Sequence, residues 1–210
     1  MIEQQTIWDK RFSGGKQYVY DTDWIDSYLG VFKSRGYRDI LELGCGDGRC
    51  AAAMSKAGFN VLATDISIVA IKRVASAMPD VATECVDMSN HLPYDAGSFD
   101  AVVSNLSSHY FSSEKTAEIY ADVHRVLKPG GIFLLRVNDD REYQINKLND
   151  TVEKLSKNYV LSSNGKRKHY FDTDDLKGCL SCFSNVVLDK GSFRCNGRKK
   201  YVLEAVAYKE

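Results

Sequence analysis

Apolar and polar positions along the chain follow two periods, which predict strands and helices in turn. Short apolar runs predict buried strands, and in chain order they are DILEL, NVLAT, VATECV, FDAVVS and GIFLLRV. Between them, apolar residues recur at helical spacing up to Ala57, over about 67–77 and over 113–126. Because parallel strands need long crossover connections, five strands separated by helices predict a parallel sheet.

The two ends of the chain add further elements. Apolar residues at positions 24–32 recur at helical spacing before Gly36, which predicts a helix on the N-terminal side. Near the other end, a helix is expected at about 172–182, followed by two β-rich runs, NVVLDKGSF and KYVLEAVAY. The AsnGly pair between these runs is a strong hairpin signal.

These patterns suggest one main domain with two additions. Residues 1–36 are expected to form an N-terminal cap region, and residues 37–210 the main domain. The periodicity weakens at about 138–171, where we expect a helix and an exposed loop inserted at one rim of the sheet. Insertions of this kind often shape substrate pockets.

Composition and charge narrow the range of partners. The 210 residues are 44% hydrophobic and 27% charged, as is ordinary for one globular domain. The chain carries 28 basic and 28 acidic residues, so its formal charge is zero. Such a chain lacks the basic footprint that nucleic acids and anionic membranes attract, and we expect neither partner.

The sequence also bears on the cellular compartment. It lacks both a signal-like N-terminal segment and an apolar stretch near the roughly 20 residues of a membrane span, so a cytoplasmic protein is expected. Six cysteines are scattered through predicted elements, which favours reduced thiols. Cys179 and Cys182 form a CxxC, but they lack the second pair that would complete a zinc site, so no metal is expected.

The stretch DILELGCGDGRCAAAM, residues 39–54, carries three glycines between a predicted strand and a predicted helix. Strand, tight turn and helix in this order often bind nucleotide-like cofactors. A dinucleotide fingerprint would require its third glycine at position 49, where Arg49 stands. A nicotinamide-dependent dehydrogenase is therefore disfavoured.

Two acids follow the next two strands. Asp65 in LATDIS ends the second predicted strand and Asp87 in CVDMSN ends the third, so both are expected at one edge of the sheet. A carboxylate after the second strand could accept both ribose hydroxyls, and one after the third could accept from an adenine amino group. Each Asp could instead cap a helix or a turn.

Glu42, Gly44, Gly46 and Gly48 form the pattern ExGxGxG. This pattern is followed, in order, by the two acids, by the segment RVLKPGGIFLL and by the terminal hairpin. In this combination the chain resembles the class I S-adenosylmethionine-dependent methyltransferases over roughly residues 36–208. The resemblance implies a Rossmann-like α/β fold: a seven-stranded, mostly parallel sheet in the order 3-2-1-4-5-7-6, with helices on both faces and a C-terminal antiparallel strand. It also implies S-adenosylmethionine as the cofactor.

The resemblance further implies a cofactor-binding set. The glycine turn would approach the methionine part of the cofactor, and Glu42 in the preceding strand would steady this turn. Asp65 would hold the ribose, and Asp87 would bind the edge of the adenine. The residue after each of these acids would complete the adenine contacts, and an asparagine after the fourth strand would lie near the methyl group. The full set is Glu42, Gly44, Cys45, Gly46, Gly48, Asp65, Ile66, Asp87, Met88 and Asn105.

Methyl transfer is an in-line displacement, so alignment and exclusion of water matter more than reactive groups. His109 and Tyr110 follow the fourth strand and are the candidate catalytic residues, although a solvent-exposed histidine at a helix start is an equal alternative. An aromatic lid over the methyl end is expected from Trp8, Phe12, Tyr18 and Tyr20, with Tyr143, His169 and Tyr170 offered by the insertion.

The acceptor is expected to be a small molecule. After the fourth strand the run SNLSSHYF lacks the prolines of the D/N-PP-Y signature, which argues against adenine or glutamine amide methylation. GKRKHYF, residues 165–171, is either a solvated turn or a contact for an anionic acceptor, and Arg136 is the other candidate for such a contact. A non-catalytic cofactor-binding module is the alternative function, and the chain could be a monomer or a homodimer.

Overall fold

The computed structural model describes residues 2–14 and 24–210, and for residues 2–3 and 146–152 it describes the backbone alone. The helices are α1 (Ile2–Ser13), α2 (Asp26–Ser34), α3 (Arg49–Lys56), α4 (Ile68–Ala77), α5 (Ser113–Val126), α6 (Asp140–Asp150) and α7 (Thr173–Cys179). The strands are β1 (Asp39–Leu43), β2 (Asn60–Asp65), β3 (Ala82–Cys85), β4 (Phe99–Asn105), β5 (Leu127–Asn138), β6 (Thr151–Ser156), β7 (Tyr159–Ser162), β8 (Arg167–His169), β9 (Asn185–Cys195) and β10 (Arg198–Tyr208). None of the described helices is both long and apolar enough to cross a bilayer.

Seven strands form the main sheet in the order β3-β2-β1-β4-β5-β10-β9. Strands β1 to β5 pair in parallel, whereas β10 runs antiparallel to both of its neighbours. This order confirms the predicted fold. After β3 the chain returns to form β4 on the other side of β1, so the strand order reverses between the neighbouring strands β1 and β4. A crevice opens beside the carboxyl ends of the strands at such a switch point.

Helices cover both faces of the sheet, because successive residues of each buried strand point to opposite sides. On one face, Phe133 of β5 packs in a cluster with Tyr120 of α5 and Leu176 of α7. On the other, Leu134 shares a cluster with residues of α2, α3 and α4, among them Phe32, Met54 and Val74. Apolar side chains therefore pack against both faces of the sheet, and this packing holds in place the strands that carry the site.

The C-terminal hairpin forms where the sequence predicts it. Cys195 pairs with Arg198, and the two residues between them, Asn196 and Gly197, have φ of 50° and 77°. Two positive φ values define the tight turn that suits the twist of paired strands, and Asn followed by Gly adopts it readily. The AsnGly prediction is thus confirmed.

The insertion differs from its prediction. Its helix, α6, is present, but the expected exposed loop is replaced by a second, antiparallel sheet of β6, β7 and β8. These strands are short, and β8 is the basic tripeptide RKH, so they show no apolar alternation. The segment GKRKHYF is consequently part of a sheet rather than a free turn.

The sequence pattern also missed α1, which packs against α4. Asp9 of α1 accepts hydrogen bonds from the Ser67 hydroxyl (2.6 Å) and from the Val69 amide (3.3 Å). The carboxylate thus satisfies an otherwise free amide at the start of α4 and holds α1 beside the carboxyl ends of the strands. Of the predicted lid residues, Tyr18 and Tyr20 lie outside the described residues.

Candidate functional site

A cavity of about 850 Å³ lies at the carboxyl ends of β1, β2, β4 and β5. This volume is within the range of small-molecule and cofactor sites. Every member of the predicted cofactor set except Gly48 lines it, and so does Tyr110. The cavity extends from the glycine turn to Arg136, the β8 segment and Lys200 of β10.

Two of the three glycines in the turn are required by packing within the protein. At Gly44, where φ is +70°, a side chain would collide with Cβ of Ser107, whose hydroxyl donates to the Leu43 carbonyl (2.5 Å). At Gly48, where φ is +78°, an added Cβ would lie 2.6 Å from Met78 Cε and 2.9 Å from a methyl of Val74. Gly48 therefore makes room for α4, and it is not among the residues that line the cavity.

Asp65 ties the glycine turn to the start of α4. Its side chain accepts hydrogen bonds from the amides of Gly46 (2.9 Å) and Ser67 (2.8 Å). The residue is only 7% exposed, and burial raises the pKa of its carboxyl. The capping role considered for Asp65 is therefore real, and the carboxylate also lines the cavity, with lone pairs beyond those that the two amides use.

Asp87 has the same double character at the end of β3. Its Oδ1 accepts from the Ser89 amide (3.0 Å) and from the Ser89 hydroxyl (2.7 Å), which closes the turn after the strand. Asp87, Ile66 and Met88 all line the cavity. The structure thus brings the three predicted adenine-contacting residues to one wall.

Glu42 presents a buried carboxyl to the same cavity. It is 2% exposed, and burial, reinforced by the nearby Asp65 and Asp47 carboxylates, raises its pKa to about 8. Within the described part of the chain, its Oε2 atom has no hydrogen-bond partner. An unsatisfied buried polar atom is costly, so this atom suits a ligand that brings a hydrogen-bond partner, and a positive charge on that ligand would favour release of the proton that burial retains.

Asn105 and Arg136 form the centre of a polar network at the ends of β4 and β5. Arg136 Nε donates to Asn105 Oδ1 (3.0 Å), and Asn105 Nδ2 lies 3.2 Å from Cys50 Sγ. The guanidinium lies between two rings, 4.8 Å from the Trp24 centroid and 4.6 Å from the Phe193 centroid. Arg136 is 4% exposed, so its charge has a fixed position on the cavity wall.

The two candidate catalytic residues, His109 and Tyr110, differ in their relation to the cavity. Tyr110 lines the cavity, and its ring meets the Trp8 ring edge-on at 4.7 Å. His109 is not among the residues that line the cavity, is 1% exposed, and its ring lies 4.3 Å from the Tyr110 ring. Its expected contact with an acceptor is not supported, because the turn after β4 buries its side chain.

Aromatic residues from α1 cover the cavity. Trp8 and Phe12 both line it, and a side chain at Gly46 would lie 3.4 Å from the Phe12 ring. Lys166 of the insertion places its Nζ 3.7 Å from the Trp8 centroid, and burial lowers the pKa of this ammonium to about 8. Residues of α1 and of the insertion thus meet over the site.

The sequence analysis missed Lys200 and Glu204 as site residues. Trp24 Nε1 donates to Glu204 Oε2 (3.0 Å), which orients the indole over Arg136. Lys200 and Glu204 lie on the same face of β10 as Val202 and Val206. Two charged residues therefore alternate with two apolar residues on that face. Charged residues on the inward face of a strand were the signal available in the sequence.

The two cysteines of the CxxC have different surroundings. Cys179 ends α7 and is buried, whereas Cys182 lies beyond the helix and is exposed. Their thiols lie near the carbonyls of Ser113 (3.4 Å) and Tyr120 (3.7 Å). Among the residues that the structure describes, no group of three or more His, Cys, Asp or Glu side chains is placed to hold a metal ion.

Comparison with known proteins agrees with this geometry. A family model described as a methyltransferase domain matches residues 40–131. An uncharacterized methyltransferase of Synechocystis sp. is 35% identical over 96 residues, which are 46% of this chain and 45% of that protein. The tRNA N(3)-cytidine methyltransferase METTL2 of Danio rerio is 30% identical over 169 residues, or 75% of this chain and 46% of that protein.

Solved structures share the fold. The 1,6-didemethyltoxoflavin-N1-methyltransferase of Burkholderia thailandensis, solved with 1,6-didemethyltoxoflavin and S-adenosylhomocysteine, has a TM-score of 0.68 and 16% sequence identity, covering 99% of this chain and 90% of that one. The chain spans about half the length of the curated relatives that it matches. Residues 40–131 thus match a methyltransferase domain, and the seven-stranded sheet has the fold of solved S-adenosylmethionine-dependent methyltransferases.

Proposed function

We propose that this protein binds S-adenosylmethionine at the glycine turn and transfers its methyl group to a small-molecule acceptor held at the Arg136 end of the cavity. The observation that carries the proposal is the continuity of one cavity from Gly44, Asp65 and Asp87 to Arg136 and Lys200. A cofactor and an acceptor in the same enclosed space can react without a large rearrangement of the protein.

The residues at the turn fit the cofactor. Glu42 offers a buried oxygen without a partner among the described residues, which suits the positively charged methionine part of the cofactor. Asp65 retains acceptor capacity for ribose hydroxyls, and Ile66, Asp87 and Met88 offer an apolar surface and polar groups for a base. When bound, the cofactor supplies an electrophilic methyl group on a sulfonium.

The protein itself contributes by positioning the cofactor and the acceptor and by excluding water. Asn105, fixed by Arg136, would line the path between cofactor and acceptor, and Tyr110 would contact the acceptor. Trp8 and Phe12 would keep water from the reacting groups. We assign no general base, because a nucleophile without a proton to lose needs none.

A small-molecule acceptor is favoured over a nucleic acid. The chain has no net charge, so it offers little of the counterion release that drives binding to a phosphate backbone. The aromatic residues of α1 also cover the cavity, which leaves a flat base pair or a folded RNA poorly matched to it. We propose that α1 and the insertion act as the cap over the main domain.

The proposal is tested by mass-spectrometric detection of S-adenosylhomocysteine after incubation with S-adenosylmethionine and a panel of small acceptors or total tRNA. We expect product with at least one small acceptor and none above the no-acceptor background with tRNA. Methylation of tRNA would contradict the acceptor class. Cofactor binding without turnover on any acceptor would favour the non-catalytic module.

We further propose a cytoplasmic location, because all six cysteines are free thiols.

A further inference from the structure

We propose that the part of the cavity lined by β5, β8 and β10 is an oxyanion subsite, in which Lys200 and Arg136, with Lys168 beside them, hold the carboxylate or phosphate of an aromatic acceptor. This inference rests on the proposed function, since it names the acceptor class of the same site. It assigns a binding role to Lys200 and Lys168.

One part of the cavity is lined by cations and, among the described residues, by no acid. Every acid that lines the cavity belongs to the segments around the cofactor set, namely Glu42, Asp47, Asp65 and Asp87. Strands β5, β8 and β10 and their flanks contribute Arg136, Lys166, Arg167, Lys168 and Lys200, and further cations line the cavity from helices α1, α3, α4 and α5, namely Arg11, Arg49, Arg73 and Lys115. An acceptor beside β5, β8 and β10 therefore meets positive charge.

Lys200 stands at the centre of this cationic cluster. It lies opposite Phe193 in the β9–β10 pairing, on the strand face that also carries Glu204. Burial, together with the charges of Lys168 and Arg136, lowers the pKa of its ammonium to about 8 against the opposing effect of Glu142 and Cys195. Lys200 is thus close enough to both cations to feel their repulsion.

The acid that faces Lys200 is already engaged by other donors. Glu142 Oε1 accepts from the Tyr201 amide (2.9 Å), and its Oε2 accepts from Arg198 (3.3 Å). Glu142 therefore serves Arg198 as well as Lys200, while Glu204 is an ion-pair partner of Arg136. The local excess of positive charge is what an anionic group would offset.

Arg136 adds geometry to this charge. Its guanidinium is held between Trp24 and Phe193, and its Nε is bound to Asn105, so the plane of the group is fixed. A planar guanidinium matches carboxylate and phosphate oxygens, and a fixed one loses little entropy on binding them. The Glu204 carboxylate lies 3.9 Å from Nη1, beyond hydrogen-bonding distance.

The surrounding walls favour an aromatic body for the acceptor. Trp8, Tyr110, Phe193 and Tyr159 all line the same cavity. Flat aromatic walls bind flat apolar groups by stacking and by burial of surface. An aryl carboxylate or aryl phosphate combines this body with the oxyanion that the cations would hold.

The test is calorimetric titration of the protein saturated with S-adenosylhomocysteine, using matched pairs of probes: benzoate and benzamide, 4-hydroxybenzoate and 4-hydroxybenzamide, phenyl phosphate and phenol. We expect at least one oxyanion to bind at least tenfold more tightly than its neutral partner. In Lys200→Met this preference should fall at least tenfold. Lys199→Met is the matched control, since Lys199 is the exposed neighbour on the same strand, and it should bind like the wild type.

The outcomes separate this inference from the proposed function. Equal binding of anions and neutral partners, no binding of any oxyanion in the millimolar range, or an unchanged preference in Lys200→Met would each overturn the subsite. Whether carboxylate or phosphate probes bind more tightly identifies the acceptor group. S-adenosylhomocysteine affinity is measured first on every variant, so loss of the cofactor site would be recognised on its own. Arg136→Gln provides a second variant, with the same expected loss of preference.

Discussion

The indole Nε1 of Trp24 donates a hydrogen bond to Glu204 Oε2 at 3.0 Å, joining residues 180 positions apart in the chain. The bond fixes the Trp24 ring over the guanidinium of Arg136, while Phe193 lies on the other side. The segment before α2 and the last strand thus hold one cation at the cavity between them. The position of this cation is therefore a property of the assembled fold.

Replacing Arg136 with lysine should destabilise the protein although the charge is kept. Lysine offers no planar group to stack between two rings, and it loses the Nε bond to Asn105. We expect a loss of about 1–3 kcal/mol in the free energy of unfolding, measured by urea denaturation. Arg38→Lys, at a site next to β1 outside the cavity, is the comparison, and equal stabilities of the two variants would contradict the stacked arrangement.

Removing the Asp9 carboxylate should loosen α1 from the site. Asp9 accepts from Ser67 and Val69 at the start of α4, and loss of such a cap costs about 0.5–2 kcal/mol. In Asp9→Ala we therefore expect faster proteolysis within residues 2–14 and faster amide exchange at Val69. Asp26→Ala, an exposed acid in the first turn of α2, should behave like the wild type. Unchanged proteolysis would show that other contacts hold α1.

Glu42 should give the protein a specific pH dependence. In an unfolded chain a glutamate loses its proton near pH 4, whereas burial keeps Glu42 protonated in the folded protein up to about pH 8. Between these values the unfolded state releases the proton and the folded state does not, so raising the pH destabilises the fold. This contribution amounts to at most about 1.4 kcal/mol per pH unit.

Glu42→Gln isolates that contribution, because glutamine has the shape of the protonated acid and does not titrate. In urea denaturation at pH 5, 6 and 7, the wild type should lose stability relative to the variant as the pH rises. Glu118→Gln, on the exposed side of α5, should follow the wild-type profile. Parallel profiles for the wild type and Glu42→Gln would contradict the raised pKa.

His109 should remain neutral across the physiological range. Burial, and then the positive charges of Lys200 and Lys168, place its pKa well below the usual value for histidine. In nitrogen-15 NMR of the imidazoles, assigned with His109→Gln, its signals should not titrate between pH 6 and 8. The exposed His91 provides the reference. A His109 midpoint near 6.5 would restore it as a candidate base.

Periodicity in the sequence predicted the parts of the fold whose burial is regular. The strands β1, β2, β4 and β5 are largely buried runs, β3 at the edge of the sheet is mostly exposed, and α5 was predicted at its observed bounds. The order of the seven strands came from the family resemblance, because periodicity does not specify which strands are neighbours. The short polar strands β6 to β8 and the helix α1 lack a regular apolar pattern, so they were missed.

The candidate site was predicted where backbone position decides it. Asp65 and Asp87 directly follow parallel strands, which brings them to one edge whatever the side-chain packing. His109 and Gly48 were misplaced because their surroundings depend on the loop after β4 and on the docking of α4. Lys200 was missed because its partners, Lys168 and Arg136, are distant in sequence and meet only in three dimensions.

The most direct test of the account is calorimetric titration of the wild-type protein with S-adenosylhomocysteine and with NADH. We predict micromolar binding of S-adenosylhomocysteine, about −8 kcal/mol, and none of NADH. Asp65→Ala should weaken that binding by about 10 to 150-fold, since hydrogen bonds to a charged acceptor contribute roughly 1.5 to 3 kcal/mol. Asp95→Ala, an exposed acid away from the cavity, should leave it unchanged. Binding of NADH without S-adenosylhomocysteine, or unaltered affinity in a folded Asp65→Ala protein, would contradict the proposed cofactor site.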